Sequence, residues 1–216
     1  MLDFLFPKIH REGYRFLAIA TVVTIVLLVI SNFLGLVSFL ITVWIYYFFR
    51  DPERFSINDE NYLLSPADGI ISQIIETNGP KELGLEAKKY TRVSIFMNVF
   101  NCHVNRIPCS GKINKIFYKP GKYINASLDK ASEENERNYV LMSNIDGDKL
   151  ILVQIAGLIA RRIVCDAREN DENKQGNRFG IIRFGSRVDL YLENYKLMVQ
   201  KNQKTIGGET IIAKKK

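Results

Sequence analysis

The stretch RFGIIRFGSRVDLYL, residues 178–192, decides how this chain is read. Ile181–Phe184 reads as one strand. Arg187–Glu193 runs Arg-Val-Asp-Leu-Tyr-Leu-Glu, the alternation of a half-buried second strand. Gly185 falls between the two, where glycine marks a bulge or a close backbone approach. Ser186 follows it directly. A serine hydroxyl held against the carbonyl of the preceding residue can attack it, and glycine permits the backbone conformations such an attack needs. A Gly-Ser step alone usually means only a turn, so its surroundings have to carry the reading.

Working outward, short β-branched alternating runs recur at Gly69–Ile75, Thr91–Met97, Gly111–Tyr118, Arg137–Ser143, Lys149–Ala156, Gly180–Phe184, Val188–Leu192, Lys196–Gln200 and Thr210–Ala213. Turn signals separate them: Asn78-Gly79-Pro80, Pro120-Gly121, Asp146-Gly147 and Gly207-Gly208. Asp146-Gly147 predicts a hairpin between the strands on either side. The fold class expected is mainly β, antiparallel and barrel-sandwich-like. Leu83–Lys89 holds at most a short helix. Ala126–Asn138, polar and charge-rich, reads as a solvated loop, with a lid as the functional alternative.

Ahead of these strands the chain changes character. Phe16–Phe49 carries no charged side chain over 34 residues, about 51 Å as one helix against a hydrocarbon core of about 30 Å. Ser31-Asn32 and Gly35 near its middle predict a fold-back into a helical hairpin. Lys8, Arg11 and Arg15 flank one end and Arg50 and Arg54 the other. This places both ends, and the domain that follows, on the cytoplasmic side of a cell membrane. A shallow re-entrant wedge is the alternative for such short arms. A cleaved signal peptide fits poorly, because the run is too long for its apolar region. The expected division is residues 1–50 in the membrane and 51–216 as the folded domain.

The 216 residues carry a formal charge of +7, which favours acidic partners. No nucleic-acid motif accompanies the charge, and the apolar segment points to lipid instead. Cys102, Cys109 and Cys165 form no close pair, so reduced thiols are expected. Cys102-His103 with Cys109 lacks a fourth ligand and the spacing of a zinc site; no metal is expected. Only two histidines are present. His10, ahead of the apolar run, reads as a surface residue, while His103 ends an apolar strand and could exchange protons near neutrality. Asp68, in Ser-Pro-Ala-Asp-Gly, reads on its own as a turn residue before a strand.

LLSPADGIIS (63–72), FMNVFNCHVNRIP (96–108), KPGKYINASLDKASEENERN (119–138), QIAGLIARRIV (154–164) and RFGIIRFGSRVD (178–189) stand in this order. Together they resemble the phosphatidylserine decarboxylase proenzymes, in the short form of bacteria and archaeal relatives. The resemblance covers nearly the whole chain. It implies that Ser186 attacks the Gly185 carbonyl and that the chain then splits into 1–185 and 186–216. Ser186 becomes a covalent pyruvoyl group, the only cofactor implied. No ordinary side chain is an electron sink for a carbanion next to nitrogen. A pyruvoyl carbonyl condenses with the substrate amine and accepts the electrons left as carbon dioxide departs. Phosphatidylserine would thus become phosphatidylethanolamine.

By the same resemblance Asp68 acts with a histidine and Ser186 in processing. Long-form enzymes have two histidines spaced HxxH; here His103 matches the first and Arg106 stands at the second. Whether His103 serves processing, decarboxylation or both stays open. Arg161 and Arg162 are candidates for a lipid phosphate, against an equal reading as structural ion pairs, and Arg178, Arg183 and Arg187 invite the same guess. Partners implied are the membrane lipid and the two chains as a heterodimer, with higher oligomers open. An archaetidylserine-type lipid is the substrate alternative.

A rival class shares part of the pattern. SPADGIIS and QKTIGGETIIA (203–213) are similar to the barrel-sandwich fold of biotinyl and lipoyl carriers and of membrane-anchored pump adaptors. Lys196-Leu197-Met198 is a poor carrier site, and no coiled-coil heptads mark an adaptor. Cell-wall metallopeptidases need more histidines than this chain has. A non-catalytic scaffold would leave the chain uncut.

Overall fold

The computed structural model describes residues 6–123, 134–157, 162–183 and 186–216. These divide into two compact units, residues 1–53 and 54–216.

In the first unit, helices α1 (Tyr14–Ile30) and α2 (Asn32–Phe48) have 17 residues each, about 26 Å at 1.5 Å per residue. Ser31 breaks the run with extended backbone, φ −161° and ψ 127°. The chain folds back there, so the sequence's single apolar run is a hairpin. Its inner seam is polar and small. Thr24 Oγ1 lies 2.8 Å from Ser38 Oγ and 2.9 Å from Thr42 Oγ1. A Cβ on Gly35 would stand 2.3 Å from Leu28 Cδ2, so glycine sets how closely the helices approach. The outer faces are apolar, with Val29 85 % and Phe33 72 % exposed. Hydroxyls thus face inward and hydrocarbon outward. Arg11–Ile30 is long and apolar enough to cross a membrane.

The open end of the hairpin is tied by the preceding segment. His10 N–H donates to the Phe49 carbonyl, Ile9 bridges Arg50, and Tyr46 Oη donates to the Pro7 carbonyl. Lys8, Arg11, Arg15 and Arg50 therefore gather at one end. His10 is not the surface residue expected: it is buried, and its Nδ1 accepts the Glu12 N–H at 3.3 Å. The reason is local, because the first N–H groups of the turn Arg11–Gly13 need an acceptor.

The second unit is antiparallel β throughout its strand pairs among the described residues. An eight-stranded sheet runs in the order β13 (Lys204–Thr205), β2 (Gly69–Asn78), β3 (Lys89–Met97), β11 (Ser186–Leu192), β7 (Lys149–Ala156), β6 (Arg137–Asn144), β5 (Gly111–Lys119), β9 (Glu172–Asn173). A three-stranded sheet places β14 (Ile211–Lys215) between β1 (Tyr62–Leu64) and β12 (Tyr195–Leu197). Another places β10 (Arg178–Ile182) between β4 (Val104–Arg106) and β8 (Ile163–Cys165). The hairpin at Asp146-Gly147 joins β6 to β7. Asn144 Oδ1 accepts the N–H groups of Asp146 and Asp148, and Gly147 takes φ +87°.

One face of the large sheet packs Val93, Ile95, Leu152, Val188 and Leu190 into the main core, each buried aliphatic stabilising by about 1.5–3 kcal/mol. The opposite face is also closed, by Tyr90, Tyr139, Ile155 and Tyr191. Strand β11 is therefore not half-buried, as its alternation predicts, but buried on both sides. The polar positions tolerate this because they pair with each other: Arg187 Nε lies 2.8 Å from Asp189 Oδ1, and Arg187 Nη2 donates to Asp189 Oδ2 at 2.9 Å.

Other differences are smaller. A turn of 3-10 helix at Lys81–Leu83 ends at Gly84 (φ +70°) and overlaps the stretch expected to hold a helix, Leu83–Lys89, only at Leu83. Of the expected loop 126–138, residues 126–133 lie outside the described residues, while Asn135, Glu136, Arg137 and Asn138 are buried rather than solvated.

Candidate active site

Strand β10 ends at Ile182 and β11 begins at Ser186, and the two belong to different sheets. Ser186 is the first residue of β11, in the middle of the large sheet. It pairs with Met97 on β3 and Ala156 on β7 and is fully buried. Its hydroxyl has no hydrogen-bond partner among the described residues. A buried hydroxyl without a partner costs about 1–3 kcal/mol; among the described residues Ser94 Oγ and Tyr90 Oη share that condition. Phe184 and Gly185 lie outside the described residues.

His103 immediately precedes β4 and is also fully buried. Its carbonyl accepts the Ile182 N–H at 3.4 Å, which ties it to the end of β10, four residues before Ser186. Its Nδ1 stands 3.0 Å from the Asn101 carbonyl. A carbonyl can only accept, so Nδ1 carries the proton and Nε2 is the basic nitrogen of the neutral ring.

Behind Ser186 a chain of buried amides crosses three strands. Asn138 Nδ2 donates to Gln154 Oε1 (2.9 Å), Gln154 Nε2 to Asn105 Oδ1 (2.8 Å), and Asn105 Nδ2 approaches Met97 Sδ (3.8 Å). Gln154 pairs with Val188, and Met97 with Ser186, so the amides tie β6, β7 and β4 around the start of β11. Sequence reading missed these residues. The visible signal was Gln154, a polar residue inside the apolar run LILVQIA.

Asp68 sits just before β2. Ile70 of that strand pairs with Phe96, and Phe96 with Arg187, so Asp68 lies toward the end of the sheet where Ser186 begins. Gly69 is fixed by a close approach: a Cβ there would stand 2.2 Å from the Phe96 carbonyl oxygen. The Asp68 carboxylate is directed at two groups that sequence reading did not assign to it. Arg54 Nη2 donates to Oδ2 at 2.8 Å, and the Gly207 N–H donates to Oδ1 at 2.8 Å. Arg106 is buried, and its Nη1 donates to the Gly176 carbonyl at 2.9 Å.

Thus Ser186 heads β11 between β3 and β7, His103 is tied to the end of β10, and Asp68, just before β2, is held by Arg54 and the Gly207 amide. Of the phosphate candidates, Arg161 lies outside the described residues. Arg162 is exposed and accepts the Arg183 N–H on its carbonyl at 3.2 Å. Arg187 is buried and paired with Asp189.

The second unit is an antiparallel β fold in which Ser186 heads a strand in the middle of the large sheet and His103 precedes β4, both buried. The comparisons with known proteins define its class as a decarboxylase. The family model described as phosphatidylserine decarboxylase matches residues 41–213. A phosphatidylserine decarboxylase proenzyme of Pelagibacter ubique (strain HTCC1062) is 64 % identical over 215 residues, covering 100 % of both chains. Proenzymes of the same name from Rickettsia typhi (strain ATCC VR-144 / Wilmington) and Rickettsia prowazekii (strain Madrid E) are each 56 % identical over 210 residues, 97 % of this chain and 91 % of theirs. The chain belongs to the phosphatidylserine decarboxylase family and is a decarboxylase.

Proposed function

We propose that the chain is a self-processing proenzyme that decarboxylates phosphatidylserine to phosphatidylethanolamine. The observation that carries this is the buried Ser186 hydroxyl, without a hydrogen-bond partner among the described residues, next to Gly185. In processing, Ser186 Oγ adds to the Gly185 carbonyl and loses its proton to a base. The amide nitrogen leaves, and an ester joins the residues. Loss of the Ser186 α-proton then expels the Gly185 carboxylate. The residual dehydroalanine takes up water and releases ammonia, leaving the pyruvoyl group at the head of 186–216. That group supplies the electron sink that decarboxylation next to an amine requires.

His103 is the proton carrier in this scheme, with Nε2 as its working atom. Asp68 assists as the fixed carboxylate. Burial of both Ser186 and His103 limits water at the site, which favours expulsion of the carboxylate over simple hydrolysis. Arg161 and Arg162 stay candidates for the lipid phosphate. The hairpin is placed in the cell membrane with its basic end cytoplasmic, following the positive-inside rule. Catalysis is assigned to that same cytoplasmic side.

Intact-mass analysis beside Ser186→Ala tests the reading. Two pieces split after Gly185, the second blocked by pyruvate, with an uncut variant, are the expected result. A single wild-type chain from active membranes would overturn it. With vesicles of ester- or ether-linked serine phospholipid, release of carbon dioxide identifies the substrate.

A further inference from the structure

The Asp68 carboxylate is held by a cradle made of two segments far apart in sequence. Arg54 supplies a guanidinium to Oδ2, and the pair is mostly buried, with side-chain exposures of 15 % and 14 %. Gly207 supplies its N–H to Oδ1. Neither segment is loose. Phe55 N–H donates to Glu209 Oε1 at 3.2 Å, and Ser56 Oγ donates to the Gly208 carbonyl at 2.8 Å, so residues 54–56 are strapped onto the turn that offers the Gly207 amide. That turn is fixed in its own right. Gly208 N–H donates to the Ser65 carbonyl, and Thr205 Oγ1 to the Ala67 carbonyl. Gly208 takes φ +79°, and a Cβ there would stand 2.8 Å from Arg106 Cδ.

A carboxylate gripped at both oxygens cannot rotate. An opposite charge at 2.8 Å balances it where little water reaches. Strap and turn meet at Asp68, just before β2, so their product is one oriented carboxylate.

We propose that Arg54 is a positioning residue for self-processing: through its charge it holds Asp68 in the orientation that Ser186 activation requires. This rests on the processing role of Asp68 proposed above. Arg54 does not touch the reacting atoms; it acts through the carboxylate. The requirement is for a cation at this place, so lysine serves in part and an apolar side chain of similar length does not.

The test follows cleavage of newly synthesised full-length chain made in a cell-free system with phospholipid vesicles, for wild type, Arg54→Met, Arg54→Lys and Asp68→Asn. Arg54→Met is expected to cleave at least about tenfold more slowly and Arg54→Lys within about threefold of wild type, the span a lost against a retained charge-assisted contact covers. Folding is read separately in uncut chains, by comparing the melting temperature of Ser186→Ala with that of Ser186→Ala carrying Arg54→Met. Little change is expected. Wild-type cleavage by Arg54→Met overturns the inference. Equal slowing by methionine and lysine also overturns it, as does slowing that follows a collapsed melting temperature. Wild-type cleavage by Asp68→Asn sinks instead the role given to Asp68.

Discussion

At the scale of residues, the second face of β11 shows how local charge is accommodated. Arg187 and Asp189 are 2 % and 1 % exposed in their side chains and bind at two points. Removing one member leaves the other's charge buried, a loss of about 3–5 kcal/mol, whereas replacing both by apolar residues is often neutral. Asp189→Asn should therefore lower the melting temperature of the uncut Ser186→Ala chain sharply, and Arg187→Met with Asp189→Leu should restore most of it. Arg92 Nε also lies 3.9 Å from Asp189 Oδ2, so equal loss in the single and double variants would show that Arg187 is not the main partner of Asp189. The amide chain makes a related prediction. Gln154→Leu orphans both Asn138 Nδ2 and Asn105 Oδ1, at about 1–3 kcal/mol for each group. Slower cleavage should accompany that loss if the amides also hold β4, and with it His103, in place. Ser186 and His103 could be picked out as candidates from sequence because each sits in a family-like motif, RFGIIRFGSRVD and FMNVFNCHVNRIP. Arg54 could not: nothing between residues 54 and 68 hints that a strap closes over a turn at 207.

At the scale of elements, strands of five or more residues were legible because alternation needs some length to show. Strands such as β4 and β13, with three and two residues, exist only because a longer neighbour offers them hydrogen bonds, and no periodicity announces them. The hairpin was legible for a different reason, since an uncharged run too long for one crossing must fold back. Its seam was not, because hydroxyls inside an apolar run do not reveal which way they face. The seam is testable through its contacts. Thr24→Cys with Ser38→Cys puts two sulfurs where oxygens stand 2.8 Å apart, within easy reach of an S–S bond. Mild oxidation of membranes should join them in nearly every chain. Adding Gly35→Ile forces a side chain against Leu28 and should reduce the yield severalfold. Absence of the crosslink in the parent pair would disprove the antiparallel seam.

At the scale of the whole second unit, the placement of residues 186–216 governs what cleavage does. Were the chain cut after Gly185, the released segment would include β11, in the middle of the large sheet with β3 and β7 on either side, each belonging to the other piece. It would also include β13, paired with β2, and β14, paired with β1. Leaving would expose Val188, Leu190, Leu192, Ile212 and Ala213, all buried now. At about 1.5–3 kcal/mol for each of the larger aliphatic side chains, this is comparable with the whole stability of a typical domain, about 5–15 kcal/mol. The small piece thus cannot depart from an otherwise folded partner; separation and unfolding are one event. The two pieces are expected to co-elute in gel filtration in mild detergent. They should part only at the denaturant concentration where β-sheet circular dichroism is lost, with one midpoint for both signals. Release of residues 186–216 at lower denaturant, with the remaining sheet intact, would show that β11 is not the keystone its two ladders make it.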